Sequence, residues 1–171
     1  MIVTVTANTS MDYIVFVKEL VQDATIRATR MLESIGGKPT DASWILGELG
    51  LPSYALGFAA GLNGERIAGF LHEKGVTTDF IPVDGESRRN LILISEEGWQ
   101  TAVTTNSLII SPEHLAIMRE KYSAALDTAP LVILGGTLPS GMTADFYTDY
   151  IALARARDIP VIFDCAEPNL S

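Results

Sequence analysis

Short runs of β-branched and other apolar residues alternate along this chain with segments whose apolar positions recur every three to four residues. Ile2 to Thr6, Tyr54 to Phe58, Leu131 to Leu134 and Ile159 to Phe163 predict buried strands. Helices are predicted between them. In the first, Ala42, Ile45, Leu46 and Leu49 fall at i, i+3, i+4 and i+7, an apolar stripe that Gly50 and Pro52 bring to an end. In the second, Asn63 suits an N-cap, Ile67, Phe70 and Leu71 form the stripe, and Gly75 closes the helix after Lys74. Ser111-Pro112 opens a third, with proline at the first helical position. A fourth, from about Thr143 to Arg157, turns Phe146, Tyr150 and Leu153 inward. Strand-helix-strand repetition of this kind predicts a parallel sheet covered by helices, the doubly wound α/β class.

Two stretches break that rhythm. Tyr13 to Val17 with Ala24 to Ile35, and Arg89 to Ser95 with Thr101 to Thr105, read as extended pairs with no helix between their members, and they predict an antiparallel flap. Glu96-Glu97-Gly98 joins the second pair and has the composition of a hairpin turn. Such a flap is either a lid over a ligand crevice or an extension of the main sheet. Beyond the strand ending at Asp164 only seven residues remain, too few for a covering helix, so the sequence reads as the first part of a larger α/β unit.

The composition narrows the function classes. A chain of 171 residues with 47% hydrophobic content fits one domain with a substantial core. Acidic residues outnumber Lys and Arg by 21 to 12, a charge of −9 that disfavours nucleic acid yet leaves a small anion open to local N–H groups and a few cations. One cysteine, Cys165, and two separated histidines, His72 and His114, offer neither an internal disulfide nor a zinc spacing, which suits a reducing cytoplasm. Both histidines lie on predicted helices and read as surface or packing residues. The N-terminus lacks the basic start and long apolar core of a signal peptide, and no apolar run approaches the roughly 20 residues of a membrane span.

The sharpest local signal is Gly36-Gly37-Lys38, followed by Pro39-Thr40-Asp41 and the first amphipathic helix. Two glycines let backbone approach a ligand, a helix N-terminus favours negative charge, and Lys38 adds a cation. The same residues also suit a plain turn with Lys38 solvated. A Walker loop is excluded, because its first glycine would fall at Leu32 and Pro39 occupies the place of its Ser or Thr. In open α/β sheets ligands sit beyond the carboxyl ends of strands, where this chain carries Asn8, Gly57 to Gly61, Gly135-Gly136-Thr137 and Asp164. Asp12, with no cation close in sequence, suits hydrogen bonds from substrate hydroxyls or an exposed turn. Arg88 or Arg89 suits a fork onto a phosphate with Asn90 on a hydroxyl, or a solvated strand edge.

In order and spacing, Asn8-x-x-x-Asp12, Gly36-Gly37-Lys38-x-x-Asp41, Gly57-Phe58-Ala59-Ala60-Gly61 with Gly64, Ser87-Arg88-x-Asn90, and Gly135-Gly136-Thr137-Leu138-Pro139-Ser140-Gly141 with Asp145-Phe146-Tyr147 resemble a known family. It is the phosphofructokinase B family of ribokinase-like carbohydrate kinases, and the resemblance is greatest to members acting on sugar phosphates such as fructose 1-phosphate or tagatose 6-phosphate. It extends over essentially the whole chain. The resemblance implies a three-layer α/β/α parallel sheet with a small β lid. Residues 1–171 would then be an incomplete ribokinase-like domain, with lid segments at approximately 13–35 and 88–105. Position by position it makes Asp12 a ligand for substrate hydroxyls, places Gly36, Gly37, Lys38 and Asp41 in the substrate pocket, and makes Arg88 the phosphate contact with Asn90 beside it. It further implies ATP and Mg²⁺ as cofactors and a homodimer formed through the lid. No catalytic or metal residue is assigned here. The family base belongs to a later Gly-Ala-Gly-Asp motif that this chain lacks, as it lacks the Asn-x-x-Glu motif near the metal; Pro168-Asn169-Leu170 comes too early to replace the latter.

Two departures bear on the substrate. Where the family has Gly-x-Asn after the lysine, this chain has Pro39, Thr40 and Asp41, losing one backbone donor and exchanging an amide for a carboxyl. An ionised Asp41 would repel a phosphate, so either the substrate differs from fructose phosphates or Asp41 faces sugar hydroxyls. The Thr-Glu-x-x-Gly-Pro segment expected after the lid reads Thr105-Asn106-Ser107-Leu108-Ile109-Ile110. The expectation is the substrate-binding, lid-bearing half of a sugar or sugar-phosphate kinase. A non-catalytic sugar-phosphate binder and a structural subunit are the alternatives, and the reading frame beyond Ser171 discriminates among them.

Overall fold

The computed structural model describes residues 1–166, and Pro168-Asn169-Leu170 lies outside the described residues. In chain order the elements are β1 (Ile2–Thr6), β2 (Ser10–Val17), β3 (Ala28–Gly36), α1 (Lys38–Glu48), β4 (Ser53–Ala59), α2 (Gly61–His72), β5 (Thr77–Thr78), β6 (Ile81–Pro82), β7 (Arg88–Ser95), β8 (Gln100–Thr104), α3 (Pro112–Leu126), β9 (Val132–Gly135), α4 (Asp145–Arg155) and β10 (Val161–Asp164). The main sheet runs β10-β9-β1-β4-β5, with β6 pairing farther along β4, and its pairings are all parallel. The four predicted strands are β1, β4, β9 and β10.

The alternation of β1 decides how the layers form. Val3 and Val5 point to one face, into a cluster with Leu56, Phe58, Val132 and Leu134 from the neighbouring strands and Met118, Tyr122, Phe146 and Tyr150 from α3 and α4. Tyr122 stacks on Tyr150 with centroids 4.6 Å apart, and its hydroxyl donates to the Tyr150 carbonyl at 3.0 Å. The opposite face of β1 is threonine. Thr4 Oγ1 and Ser43 Oγ share a hydrogen bond of 2.7 Å, and Thr40 Oγ1 donates to Thr6 Oγ1 at 2.8 Å, all four residues being buried. These hydroxyl pairs seat α1 through Pro39, Thr40 and Ser43. The predicted stripe of α1 is therefore wrong in its facing: Ile45 is 58% and Leu49 68% exposed. Small residues and hydroxyls let this helix lie close to the strands, Ile45 and Leu49 are turned away, and Trp44 stacks on Phe70 beside the second core cluster.

The second helix follows its prediction in the core, with Ile67 and Leu71 buried beside Met11, Ile35, Ala55 and Val76. Its start differs. Ala60 is the N-cap, and Asn63 lies in the first turn, where its N–H donates to Glu86 Oε1 at 2.5 Å and its side chain donates to the Ser87 carbonyl at 2.8 Å. Glu86, distant in sequence, thus supplies the anion that the helix terminus favours. The third helix starts as predicted at Ser111, and His114 completes a reciprocal cap with it, both bonds at 3.3 Å. In the fourth, Phe146, Tyr147, Tyr150 and Ala154 are buried, whereas Leu153 is only half-buried.

The two extended pairs form a separate four-stranded sheet, β3-β2-β7-β8. Its outer pairings are antiparallel as expected, but the central pair, β2 with β7, is parallel, so the sheet is mixed. The chain leaves the flap after β3 to build α1, β4 and α2, and returns for β7 in the direction of β2. Gly98 closes the β7–β8 hairpin, its N–H donating to the Ser95 carbonyl at 2.9 Å.

The hydroxyl pairs give a direct stability prediction. Ser43→Ala alone leaves Thr4 Oγ1 buried without its partner and is expected to cost about 1–3 kcal/mol in urea unfolding. Thr4→Val combined with Ser43→Ala removes both hydroxyls and is expected to recover most of that loss. A double variant no more stable than the single one would show that the pair is not what seats α1.

Candidate functional site

The crevice forms where β1 ends. Residues 7–9 carry the chain from β1 into β2, and β3 returns antiparallel, so that Ser10 pairs with Gly36. Because β7 runs parallel to β2, Ser10 also pairs with Arg88, and Asp12 pairs with Asn90. With side chains alternating along a strand, this register puts Ser10, Asp12, Gly36, Arg88 and Asn90 on one face at one end of the second sheet.

Their contacts are specific. Asn90 Nδ2 donates to Asp12 Oδ1 at 2.7 Å and to Ser10 Oγ at 3.0 Å, and Ser10 Oγ donates to the same Asp12 oxygen at 3.0 Å. Asp12 Oδ2 accepts none of these bonds. The half-buried Arg88 guanidinium lies within electrostatic reach of Asp12, so Asp12 does have a cation beside it, brought from far along the chain by strand pairing. Burial lowers the Arg88 pKa and the Asp12 charge opposes that shift. Among the described residues, Arg88 Nε and Asn90 Oδ1 are buried without hydrogen-bond partners. Such groups are costly to leave unpaired, and here they lie at the crevice end of the second sheet.

The glycine pair serves both halves of the crevice. A Cβ at Gly36 would collide with the Asp12 carboxylate and the Ser10 hydroxyl, so only glycine leaves room for them. Gly37, at φ +112°, is the N-cap of α1, and its carbonyl accepts from the Asp41 N–H at 2.9 Å. The helix begins at Lys38, which places Lys38 and Asp41 in its first turn. Lys38 Nζ donates to Asp164 Oδ1 at 2.5 Å, closing the crevice on the β10 side. Both side chains are largely exposed, and such a pair contributes about 1 kcal/mol or less, so its consequence is the placement of Lys38. Asn8, at the end of β1, donates to Thr137 Oγ1 at 3.1 Å and to the Leu138 carbonyl at 3.4 Å, tying in the turn after β9.

Asp41 is open to solvent, yet the protein packed around its carboxyl and the neighbouring Asp12 charge push its pKa up to about 7. The sequence-predicted residues therefore fall into two groups joined by the first turn of α1. Asp12, Gly36, Arg88 and Asn90 cluster at the end of the second sheet, Asp41 lies within electrostatic reach of Asp12, and Lys38 pairs with Asp164. Sequence reasoning missed Ser10 as a hydrogen-bonding member, and it noted Asp164 only as a strand end.

Residues 2–171 match the model of the pfkB family carbohydrate kinases. The chain belongs to that family. A 1-phosphofructokinase of Borreliella burgdorferi is 32% identical over 164 residues, covering 96% of this chain and 52% of that protein. A possible 1-phosphofructokinase from Thermotoga maritima superposes with a TM-score of 0.93 at 26% identity, covering 99% of this chain and 55% of that one. Phosphofructokinase-2 from Escherichia coli, solved in complex with fructose-6-phosphate, has the same fold, with a TM-score of 0.88 at 22% identity over 99% of this chain and 55% of that one. This pfkB chain thus spans about half the length of the relatives it matches, and the ribokinase-like fold expected from its motifs is the one observed. Among the described residues no cluster of three or more His, Cys, Asp or Glu is placed to hold a metal ion, and no helix is long and apolar enough to cross a membrane.

Gly36→Ala tests the cradle. The added methyl must displace Asp12 or Ser10, and such overpacking is expected to cost about 1–3 kcal/mol. Denaturant unfolding reads the loss, and Gly69→Ala, on α2 where a Cβ meets nothing within 4 Å, serves as the unstrained control.

Proposed function

We propose that this chain carries the substrate-binding and lid part of a kinase that transfers the γ-phosphoryl group of ATP to a hydroxyl of a sugar phosphate, of the fructose 1-phosphate or tagatose 6-phosphate kind. The observation that carries this reading is Arg88, a half-buried guanidinium whose Nε has no hydrogen-bond partner among the described residues, set beside an aspartate and an asparagine on the same face of the second sheet. A cation left partly unpaired suits a phosphate, and the free Asp12 oxygen beside it suits a hydroxyl of the same ligand. Gly36 and Gly37 keep backbone close to that ligand, Lys38 supplies a second cation, and Asn90 holds Asp12 in place. The names of the more similar relatives support the sugar-phosphate class.

In this reading the second sheet, with segments at approximately 13–35 and 88–105, is a lid on an incomplete ribokinase-like domain. Mg²⁺ and ATP would supply the phosphoryl group and its charge neutralisation. The described residues include no acidic cluster fit to hold the metal, and no step is assigned to it here. A cytoplasmic enzyme agrees with one buried thiol. The lid also suits a homodimer. Met11 and Ile35 on one face pack with α2, whereas on the other face Ile14, Phe16, Ile92 and Ile94 are only partly buried and Leu32 is exposed.

Binding and turnover with fructose, fructose 1-phosphate, fructose 6-phosphate, tagatose 6-phosphate and ribose test the assignment on the longest natural form of the protein. Arg88→Ala is expected to weaken phosphorylated sugars by about tenfold to a hundredfold, the loss of about 1.5–3 kcal/mol of charge-assisted hydrogen bonding, with plain sugars little affected. An unchanged preference for phosphorylated sugars would reassign the site to plain sugars, and binding without turnover would make the protein a sensor. The dimer is read by sedimentation: Ile92→Asp with Ile94→Asp is expected to yield folded monomers, and a dimer that survives both changes places the interface elsewhere.

A further inference from the structure

Three tyrosines are buried in the core that α3 and α4 share with the main sheet, and the protein itself satisfies the hydroxyls of only two. Tyr122 donates to the Tyr150 carbonyl at 3.0 Å, and Tyr147 donates to the Gly136 carbonyl at 3.1 Å. Tyr150 is 3% exposed, and its hydroxyl has no hydrogen-bond partner among the described residues. The ring is not free to swing in search of one. Tyr122 stacks on it with centroids 4.6 Å apart, and Phe146 packs against it at 4.1 Å. A hydroxyl held in this way costs free energy that a phenylalanine would not, so it marks a place where a group from outside completes the bond.

Tyr150 also lines a cavity of about 420 Å³ between α3 and the turn that leads into α4. Leu115, Ala116, Met142 and Phe146 supply much of its apolar wall, and Arg119, Asp145 and Asp149 are its charged members. The Tyr150 hydroxyl lies within electrostatic reach of Arg119 and Asp149, which places it toward the charged side. An apolar cavity of this size with a few polar groups converging on it has the build of a small-molecule site. None of these residues belongs to the crevice of Asp12, Lys38 and Arg88. We propose that this cavity binds an uncharged, ring-sized organic molecule bearing a carbonyl or similar acceptor oxygen, to which the Tyr150 hydroxyl donates. The site does not depend on the sugar-phosphate reading above. Each part of that chemistry has its residue. Burial pushes the Tyr150 hydroxyl above its ordinary pKa, so near neutral pH it remains a donor in need of an acceptor. Arg119 is already engaged by Asp149 at 3.4 Å, and Asp145 adds a second acid, so the lining favours a neutral acceptor over a carboxylate. Met142, half-buried and unbranched, lets the wall adjust to the ring.

The experiment titrates three probes of similar shape into the longest natural form of the protein, following the methyl NMR signal of Met142. Acetophenone carries the acceptor, ethylbenzene lacks it, and benzoate replaces it with a charge. Acetophenone is expected to shift the Met142 methyl saturably, and benzoate to bind at least about tenfold more weakly. Tyr150→Phe is expected to weaken acetophenone by about threefold to tenfold, the loss of one hydrogen bond, and to leave ethylbenzene unchanged. Ala116→Trp fills the cavity from an exposed position on α3, and it is expected to keep the fold and abolish the shift. A ligand-free readout separates this role from a structural one. Removing an unsatisfied hydroxyl is expected to leave the melting temperature of Tyr150→Phe unchanged or higher, whereas Tyr122→Phe, which loses a bonded hydroxyl, is expected to melt lower. A lower melting temperature for Tyr150→Phe would show that its hydroxyl is already bonded within the protein, and would overturn the proposal. Equal acetophenone affinity in wild type and Tyr150→Phe, or no saturable shift of Met142, overturns it as well.

Discussion

Two hydroxyl pairs beneath α1 fix much of what surrounds them. Thr4 with Ser43 and Thr6 with Thr40 set the rotation of that helix on the central strand. Because Lys38 and Asp41 sit in its first turn, the rotation also sets the direction in which both charges face. A conventional apolar contact would tolerate sliding. Hydroxyls buried in a dry interface do not, since each must keep its partner within hydrogen-bond distance or remain desolvated and unpaired. The layer that forms half of the crevice is accordingly held by groups that specify position more sharply than they stabilise.

Much of the architecture was legible because its signals are local. The strands that became β1, β4, β9 and β10 are short β-branched runs, Ser111-Pro112 marks a helix start by cap chemistry, and Gly98 marks a hairpin. The misreadings share one cause: each involved a partner supplied by a distant segment. Periodicity placed Ile45 and Leu49 in the core because it takes no account of threonines on β1 that attract hydroxyls. Asn63 resembled a cap until Glu86 took that place. The parallel pairing of β2 with β7 depends on a crossover through α1, β4 and α2, and no run of residues in either strand encodes it.

The site shows the same division. Gly36, Gly37 and Lys38 announced a backbone approach to a ligand, and the steric reason for Gly36, the Asp12 carboxylate lying across it, appears only once β2 and β3 are paired. The Asp12–Arg88 neighbourhood and the Lys38–Asp164 pair span long stretches of chain. Both arise where strand ends converge, which is why residues at the carboxyl ends of strands identified the region but not the pairings within it. A protein of net charge −9 can in this way place Lys38 and Arg88 at the strand ends without becoming basic overall.

The mixed pairing of the second sheet has a mechanical consequence. The start of β2, the end of β3 and the start of β7 all lie at the crevice, so the polar groups sit at the anchored end and both hairpin tips project away from it. A strand of 8 residues such as β7 is about 26 Å long at roughly 3.3 Å per residue. The sheet is therefore a lever arm with its fulcrum at Ser10 and Gly36, and a tilt of about 10° there sweeps the far tip through about 4–5 Å. Trp99, 71% exposed beside that tip, carries the indole that would report such a movement.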